Sequence, residues 1–532
     1  MAVAAVALAP PAVALVGLGK AGPEWAHIAE TVLWTYCQNT LILALGAGIL
    51  VLLLAIPPAW LVATREFPGR RIFEWALILP LAFPTYVAAL CYLSVPEALI
   101  PWLVEIRLSR GVDAFLFWES ASRYALVSLV LASVLYPYVF LTARTAFAGA
   151  GKAMVESSQM LGRGMWATFF RVALPLARPA TIAGLSLVIM EVVNDYGAVN
   201  LLGVPTLTEG IFRTWGGLED RASAVRLAGI VTVAILAMLA AERLQRGRRT
   251  YDDPRAEAGG GRLRLGRLGG AVAMAVCLLP LALGFLYPAG RLLHWAWLTG
   301  GKALGSDFLA MAGRSAALSL AAAAAVALAG LLMAYAGRCR RSRWLDGTLR
   351  LATIGYAIPG AVVAVGVMVI AGAVDRHAGA LPVALGGTLI AIAIGYGSRF
   401  LAVAYHPIRS GMEQLCRGVD DASRMLGAGR GRTLLRVTLP LVRRPLLAAA
   451  MLVFIDILKE LPLTMILRPA DFETLATKAF GLAKEGRIHE SAAPSLLIAA
   501  AGIAGLIPLN RLLRRGTRDT LTEPRDHDPA DR

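Results

Sequence analysis

Two pairs of carboxylates with the same spacing lie in two distant parts of the chain. Glu191 precedes Asp195 by four residues, and Asp456 precedes Glu460 by four residues. Residues four apart lie on one face of a helix, so each pair would present two oxygen-rich groups side by side. Two such pairs could attract a hard cation. Lys459 could instead neutralise Asp456 or Glu460, and the pairs would then lock helices together. Both interpretations stay open.

The remaining chemistry-bearing residues form no constellation typical of catalysis or of a resident metal. The five Cys include no CxxC pair, and the six His show no metal-ligand spacing. The chain has no GxxxxGK[ST] phosphate-binding loop. We therefore expect no catalytic residues and no cofactor bound by this chain.

The composition indicates a lipid environment. Hydrophobic residues make up 57% of the chain and charged residues 16%, whereas soluble domains carry about 25% charged residues. The apolar runs are continuous rather than alternating, which favours helices over a barrel. We predict an all-α polytopic membrane protein with about twelve transmembrane helices, near residues 1–17, 41–63, 73–96, 124–143, 180–200, 225–241, 269–290, 315–336, 350–372, 382–404, 446–466 and 493–510.

Basic residues are unequally divided between alternate loops. The net charge is +17, but Lys and Arg fall at the ends of apolar spans rather than on one face, which argues against a nucleic-acid partner. One set of alternate loops contains 35 Lys and Arg, and the other set contains 12. The set with 35 consists of 64–72, 144–179, 242–268, 337–350, 405–445 and the tail from 511. Because cytoplasmic loops carry the excess, we predict that both termini are cytoplasmic.

The same pattern predicts how the chain is divided. We expect a first half at 1–242, an Arg- and Gly-rich cytoplasmic linker at 243–268, a second half at 269–515 and a disordered cytoplasmic tail at 516–532. The segment 1–17 lacks a charged leading region and a clean cleavage pattern, so we predict a retained helix rather than a signal peptide.

An internal repeat relates the halves. Segments 156–176 and 421–441 align without a gap and are identical at 11 of 21 positions. The same alignment, extended along the chain, places the two acidic pairs opposite each other. Both copies fall in long basic loops with the same predicted orientation, so the repeat is parallel.

The repeated segments resemble the coupling loops of permeases in the ATP-binding-cassette (ABC) importer family. That loop reads Glu-Ala-Ala, three residues, Gly, nine residues, Ile-x-Leu-Pro. The corresponding residues here are Glu156, Ser157, Ser158, Gly162, Leu174 and Pro175 in the first copy, and Asp421, Ala422, Ser423, Gly427, Leu439 and Pro440 in the second. The departures are conservative: two serines replace the alanines in the first copy, Asp421 replaces glutamate, and valine replaces isoleucine at 172 and 437.

Local physical chemistry fits this resemblance. The two glycines can adopt positive φ and end a short helix, and the two prolines would interrupt the backbone ladder before the next span begins. Met160-Leu161 and Met425-Leu426 would be available for a hydrophobic groove. The alternative is an amphipathic loop helix that rests on the membrane surface, which two copies in register make less attractive.

The resemblance implies a type I importer permease fold of two six-helix halves in a bacterial inner membrane. It also implies partners: two copies of an ATPase subunit, which carry the ATP and Mg, and a periplasmic substrate-binding protein. The energy-coupling loops would dock in a cleft of each ATPase. An ion-coupled secondary transporter, which can also have two six-helix halves, would not require paired coupling loops.

The stretches after each coupling loop resemble the ferric-iron members of the family. These stretches include Lys459-Glu460-Leu461-Pro462 and Phe472-Glu473-Thr474-Leu475-Ala476. The resemblance therefore implies ferric iron as cargo, with thiamine, polyamine or another small solute as alternatives. Glu191, Asp195, Asp456 and Glu460 would then either line the translocation pathway or pair structurally, since acids within a membrane usually face a bundle interior or a wet cavity.

Overall fold

The computed structural model describes residues 2–149, 158, 160, 162, 164–246, 263–300, 305–339, 342–377, 385–416 and 418–519. Glu156 and Ser157 of the first repeated segment lie outside the described residues, as do 247–262 of the predicted linker and 520–532 of the predicted tail. Side-chain burial is not described beyond residue 505.

The described residues of the first half form helices joined by short turns and loops, with one two-residue strand. Its helices are α1 Ala2–Val16, α2 Trp25–Thr31, α3 Leu33–Thr64, α4 Arg70–Ala76, α5 Thr85–Cys91, α6 Ser94–Arg110, α7 Val112–Gly149, α8 Met165–Thr168, α9 Leu174–Asn194, α10 Gly197–Leu201, α11 Leu207–Phe212 and α12 Arg221–Arg246.

The second half is also mainly helical in its described residues. Its helices are α13 Arg267–Leu281, α14 Tyr287–Thr299, α15 Ser306–Cys339, α16 Arg343–Ala352, α17 Gly360–His377, α18 Leu389–Glu413, α19 Gly418–Met425, α20 Arg430–Thr433, α21 Leu439–Leu458, α22 Pro462–Leu467, α23 Leu475–Lys484 and α24 Ala492–Asp519. Strand β1 (Arg65–Glu66) pairs in parallel with β2 (Leu263–Arg264), which fixes the end of the linker to the first half.

The expectation of a helical polytopic membrane protein is confirmed. Within the described residues, eight helices are long and apolar enough to cross a membrane, and nine if the bent pair Arg70–Ala82 and Thr85–Cys91 forms one span. Two shorter apolar helices, Val3–Gly19 and Ala492–Gly505, lie at the two ends of the chain. Helix α21 is not among the eight; it carries Arg443, Arg444 and Asp456. The count of twelve stays a prediction.

Three features differ from the predicted segments. The expected loop at 97–122 is helical, because α6 and the start of α7 extend through it. The span expected at 73–96 is bent by 93°, where Pro84 adopts an extended conformation at the start of α5. The tail expected to be disordered from 516 still belongs to α24 as far as Asp519.

The two halves exchange their first helices. Helix α1 packs against α17 and α18 of the second half as well as α12 of its own. The Ser398 hydroxyl donates to the Ala7 carbonyl at 2.6 Å, and a Cβ on Gly366 would lie 2.3 Å from the Pro10 carbonyl oxygen. Helices α13 and α14 pack reciprocally against α3 and α5 of the first half. The hydrophobic core that contains α1 is therefore shared between both halves.

Candidate functional site

The second repeated segment forms a short surface helix, α19, that ends in a tight turn. Gly427 adopts φ +78°. Its N–H donates to the Arg424 carbonyl at 2.9 Å, and the Ala428 N–H donates to the Ser423 carbonyl at 3.1 Å. These two bonds form a Schellman motif, in which a glycine after the helix takes the left-handed conformation. The expected role of Gly427 as the residue that turns the chain agrees with this geometry.

Apolar side chains project from this turn. Met425 and Leu426 are each 88% exposed. Asp421 and Ala422 are also exposed, and Asp421 forms a 3.8 Å ion pair with Arg424 on the helix surface. An exposed apolar pair beside an acidic residue is a surface suited to a protein partner.

The first repeated segment shares its turn and its exposed methionine with the second. Gly162 adopts φ +76°, and Met160 is 89% exposed, as its counterpart Met425 is. Trp166 is 69% exposed and stacks on Phe170 with ring centroids 6.2 Å apart. Both copies therefore present an apolar residue two positions before a left-handed glycine.

A buried hydroxyl pair holds each copy to the helix that follows it. The Ser158 and Thr168 hydroxyl oxygens lie 3.1 Å apart, and those of Ser423 and Thr433 lie 2.9 Å apart. All four residues are no more than 7% exposed. The repeat contained the signal for the two threonines, since both stand among its identical positions, but sequence reasoning gave them no role.

The Leu-Pro element of each copy follows a π turn rather than a break. The Leu174 N–H donates to the Phe169 carbonyl, five residues earlier, and the Leu439 N–H donates in the same way to the Leu434 carbonyl. A proline lacks an N–H and crowds the carbonyl four residues before it, so the ladder widens by one residue. Pro175 and Pro440 were predicted to interrupt the backbone ladder before the next span begins. The ladder is widened at both sites, but the helix continues through the first of them as Trp166–Asn194.

The supports beneath the two copies differ. In the first half, Trp60 packs against Phe147 and Phe169 with ring centroids 5.3 and 5.4 Å away. In the second half, Tyr335 lies at the equivalent end of α15 and donates its hydroxyl to the Arg430 carbonyl at 2.8 Å. Arg338, one turn further, forms an ion pair with Asp420 at the start of α19. The first copy thus rests on an aromatic cluster and the second on polar contacts.

The four predicted acids meet in one cavity between the halves. Glu191, Asp195, Asp456 and Glu460 all line a cavity of about 120 Å³. A larger cavity of about 990 Å³ shares Tyr138, Tyr356, Asp456 and Lys459 with it. The larger cavity extends to Glu74 and Arg144. Arg144 lies in the last turns of α7, before the first repeated segment.

Asp195 and Glu460 lie where a long helix breaks and a short one begins. The Asp195 carboxylate accepts the Ala198 N–H at 3.0 Å and the Val199 N–H at 3.2 Å, and it also accepts from the Thr85 hydroxyl. The Glu460 carboxylate accepts the Leu463 N–H at 3.1 Å. Both acids therefore cap the free N–H groups of the helix that restarts after the break.

Two of the acids also have basic partners. Lys459 Nζ lies 2.8 Å from Asp456 Oδ1, as one interpretation of the sequence proposed. Glu460 pairs with Arg399 rather than Lys459: Arg399 Nε and Glu460 Oε2 lie 3.4 Å apart, and the two side chains are only 9% and 7% exposed. Arg399 also donates to the Ile358 carbonyl at 3.1 Å. Sequence reasoning missed Arg399 because its partner lies on another helix.

Glu191 differs from the other three acids. It makes no direct hydrogen bond or ion pair with any residue that the structure describes. The cavity lining contains four acids and two bases, so its formal charge is negative. Within the described part of the chain, His, Cys, Asp and Glu form no group of three that could hold a metal ion by themselves.

Comparison with known proteins gives one family and several relatives. The family described as "Binding-protein-dependent transport system inner membrane component" matches residues 49–247 and 327–518. The Fe(3+)-transport system permease protein FbpB 2 of Haemophilus influenzae is 24% identical over 453 residues, which cover 82% of each chain. The molybdenum transport system permease protein ModB of Escherichia coli is 26% identical over 229 residues, 39% of this chain and 93% of its own. A probable sulfate transport system permease protein of Chlorokybus atmophyticus is 29% identical over 36% of this chain and 65% of its own.

Proposed function

The chain belongs to the family of binding-protein-dependent transport system inner membrane components, and on that premise we propose that it supplies both permease halves of an ABC importer for ferric iron. It is a multi-pass inner membrane component and not an enzyme; the family works with an ATPase and a substrate-binding protein. The proposal also includes about twelve spans in two six-helix halves, two ATPase copies per chain, and ferric iron as the cargo.

The arrangement in the membrane is part of the proposal. We assign the halves to 1–242 and 269–515, the linker to 243–268 and the tail to 516–532, with both termini in the cytoplasm. The excess of basic residues in one set of loops supports this orientation. It places the two repeated segments, with Met160 and Met425 exposed, on the cytoplasmic face, where an ATPase can reach them.

The matched geometry of the two segments carries the coupling role. Both have a left-handed glycine, an exposed methionine two residues before it, and a buried hydroxyl pair. A membrane-surface helix would not require the same turn and the same internal bond in both copies. We propose that each segment docks one ATPase subunit, whose ATP and Mg drive the transport cycle.

We expect Thr433→Val to weaken coupling while leaving the fold intact. Valine keeps the shape of threonine but leaves the buried Ser423 hydroxyl without its partner, which costs about 1–3 kcal/mol. The helix α19 would then sit less firmly on α20. Transport-coupled ATPase activity of the reconstituted complex should fall several-fold.

The matched control is Thr438→Val. Thr438 is 1% exposed, and its hydroxyl has no hydrogen-bond partner among the described residues, so its loss should leave coupling unchanged. Equal activities for the two variants would show that the Ser423–Thr433 bond does not position the coupling helix.

The charge of the central cavity favours a cationic cargo. Four acids against two bases would repel an oxyanion such as sulfate, which the name of one partial relative mentions. The relative that matches along most of the chain is named for Fe(3+) transport. Thiamine and polyamines are also cations and remain the alternative cargoes.

Uptake of radiolabelled ferric iron tests this function. We expect a strain that lacks this chain to lose ATP-dependent iron uptake and to regain it when the chain is restored. Unchanged iron uptake with a loss of thiamine or polyamine uptake would replace the cargo. Uptake by the purified chain that persists without ATP and follows a proton gradient would instead indicate a secondary transporter.

A further inference from the structure

We propose that Glu191, Asn194 and Tyr86 form a transient binding site for a hard metal cation in the central cavity. This inference rests on the proposed function and deepens it, because it names the groups that contact the cargo. Three of the four cavity acids are engaged elsewhere, so the site differs from a simple cluster of four carboxylates.

The engaged acids hold the protein's own structure. Asp195 and Glu460 cap the helices that restart after the breaks. Asp456 pairs with Lys459 at 2.8 Å, and Glu460 is further held by Arg399. A cation that took these carboxylates would have to break bonds that maintain the broken helices, so they are poor ligands for passing cargo.

Glu191 is the acid that a cargo can reach without such a cost. It has no direct partner among the described residues, and it is only partly buried. Asn194 follows it by three residues, so the two side chains lie on the same face of α9. Both line the small cavity.

Two buried oxygens in the same cavity lack partners. Asn194 Oδ1 and the Tyr86 hydroxyl accept or donate no hydrogen bond within the described residues, although each residue is only 4% exposed. The Asn194 amide nitrogen is used, since it donates to the Ala357 carbonyl at 3.4 Å, and this leaves the oxygen free. Unpaired buried oxygens cost free energy, and a cation in the cavity would satisfy them.

The donor set defines the class of ligand. A carboxylate, an amide oxygen and a phenol are hard oxygen ligands, which suit hard cations rather than soft ones. One free carboxylate gives a weak site, which allows the ion to leave. At about 30 Å³ per water, the cavity of about 120 Å³ can hold a partly hydrated ion.

Terbium luminescence tests the site directly. Tb³⁺ is a hard trivalent cation whose emission is sensitised by nearby tyrosines, and Tyr86, Tyr138, Tyr196 and Tyr356 line this cavity. We would titrate Tb³⁺ into the purified permease–ATPase complex in nanodiscs of zwitterionic lipid, without nucleotide or binding protein. Wild type should give saturable emission that Fe³⁺ nitrilotriacetate suppresses.

Matched variants separate this site from the rest of the surface. Glu191→Gln should weaken the apparent Tb³⁺ affinity at least about tenfold, which corresponds to about 1.4 kcal/mol, and Asn194→Leu should weaken it several-fold. Glu191→Asp, which keeps the charge, should retain most of the binding. Glu105→Gln, an exposed acid on α6, should titrate like wild type.

The outcomes distinguish the site from the cargo. If Glu191→Gln co-purifies with the ATPase and titrates like wild type, the site is wrong, whatever the protein imports. If wild-type vesicles fail to import iron but Tb³⁺ binding still depends on Glu191, the site stands and the cargo is another cation. If iron import proceeds normally in Glu191→Gln and Asn194→Leu, the cargo passes without these ligands and the proposal fails.

Discussion

The Gly427→Pro variant should lose most of its bound ATPase while still inserting into the membrane. Gly427 has φ +78° and donates its N–H to the Arg424 carbonyl. Proline restricts φ to negative values and has no N–H, so it can reproduce neither the turn nor the bond. The exposed Met425-Leu426 pair would then point in a different direction, and docking should fall at least about tenfold, or about 1.4 kcal/mol.

Co-purification of the ATPase with a tagged permease measures this loss. Gly427→Ala should have a smaller effect, because a Cβ there would meet no atom within 4 Å and the cost is backbone strain of about 1–2 kcal/mol. Gly429→Ala is the matched control: Gly429 has φ −68° and equal open space. Normal ATPase recovery with Gly427→Pro would contradict the coupling role of the second segment.

The Arg399→Leu variant should be strongly destabilised. Loss of the Arg399 guanidinium would leave the Glu460 carboxylate, which is only 6% exposed, without its basic partner. Breaking a buried ion pair from one side costs about 3–5 kcal/mol. The Arg399 bond to the Ile358 carbonyl would also disappear, so the thermal unfolding temperature in detergent should drop.

Two further variants define the cause of that drop. Arg399→Leu combined with Glu460→Gln removes both charges, and the amide oxygen can still accept the Leu463 N–H, so much of the stability should return. Arg409→Leu, on the same helix, removes a pair whose side chains are 43% and 63% exposed; such surface pairs contribute about 0.3–0.5 kcal/mol. If Arg399→Leu were no more harmful than Arg409→Leu, the buried pair would not matter.

Structural features that depend on one short stretch of chain could be predicted from the sequence. The gapless internal repeat identified the paired segments, and glycine after a short helix predicted the turns at Gly162 and Gly427. The spacing of Glu191 and Asp195 predicted side chains on one face. The structure agrees with the two turns, and Glu191 and Asp195 line one cavity, since these two features depend on residues fewer than ten positions apart.

Contacts between distant helices could not be predicted in this way. Arg399 pairs with Glu460 across two helices, and no periodicity links them. Asp195 and Glu460 proved to be helix caps because the spans at 180–200 and 446–466 are broken, whereas apolar runs alone indicate continuous helices. An apolar run also does not specify which helix it packs against. The hydrophobic pattern therefore could not predict that the two halves exchange their first helices.

That exchange bears on why the halves share one polypeptide. Each half packs against the first helix of the other. Ser398 of the second half donates its hydroxyl to the Ala7 carbonyl, and Tyr92 of the first half donates its hydroxyl to the Leu283 carbonyl. These contacts hold the halves together in addition to the covalent connection. The covalent connection enforces a one-to-one stoichiometry and excludes pairings of like with like, which allows the two halves to diverge. The two repeated segments show such a divergence. The first rests on the aromatic cluster of Trp60, Phe147 and Phe169, and the second on the polar contacts of Tyr335 and Arg338.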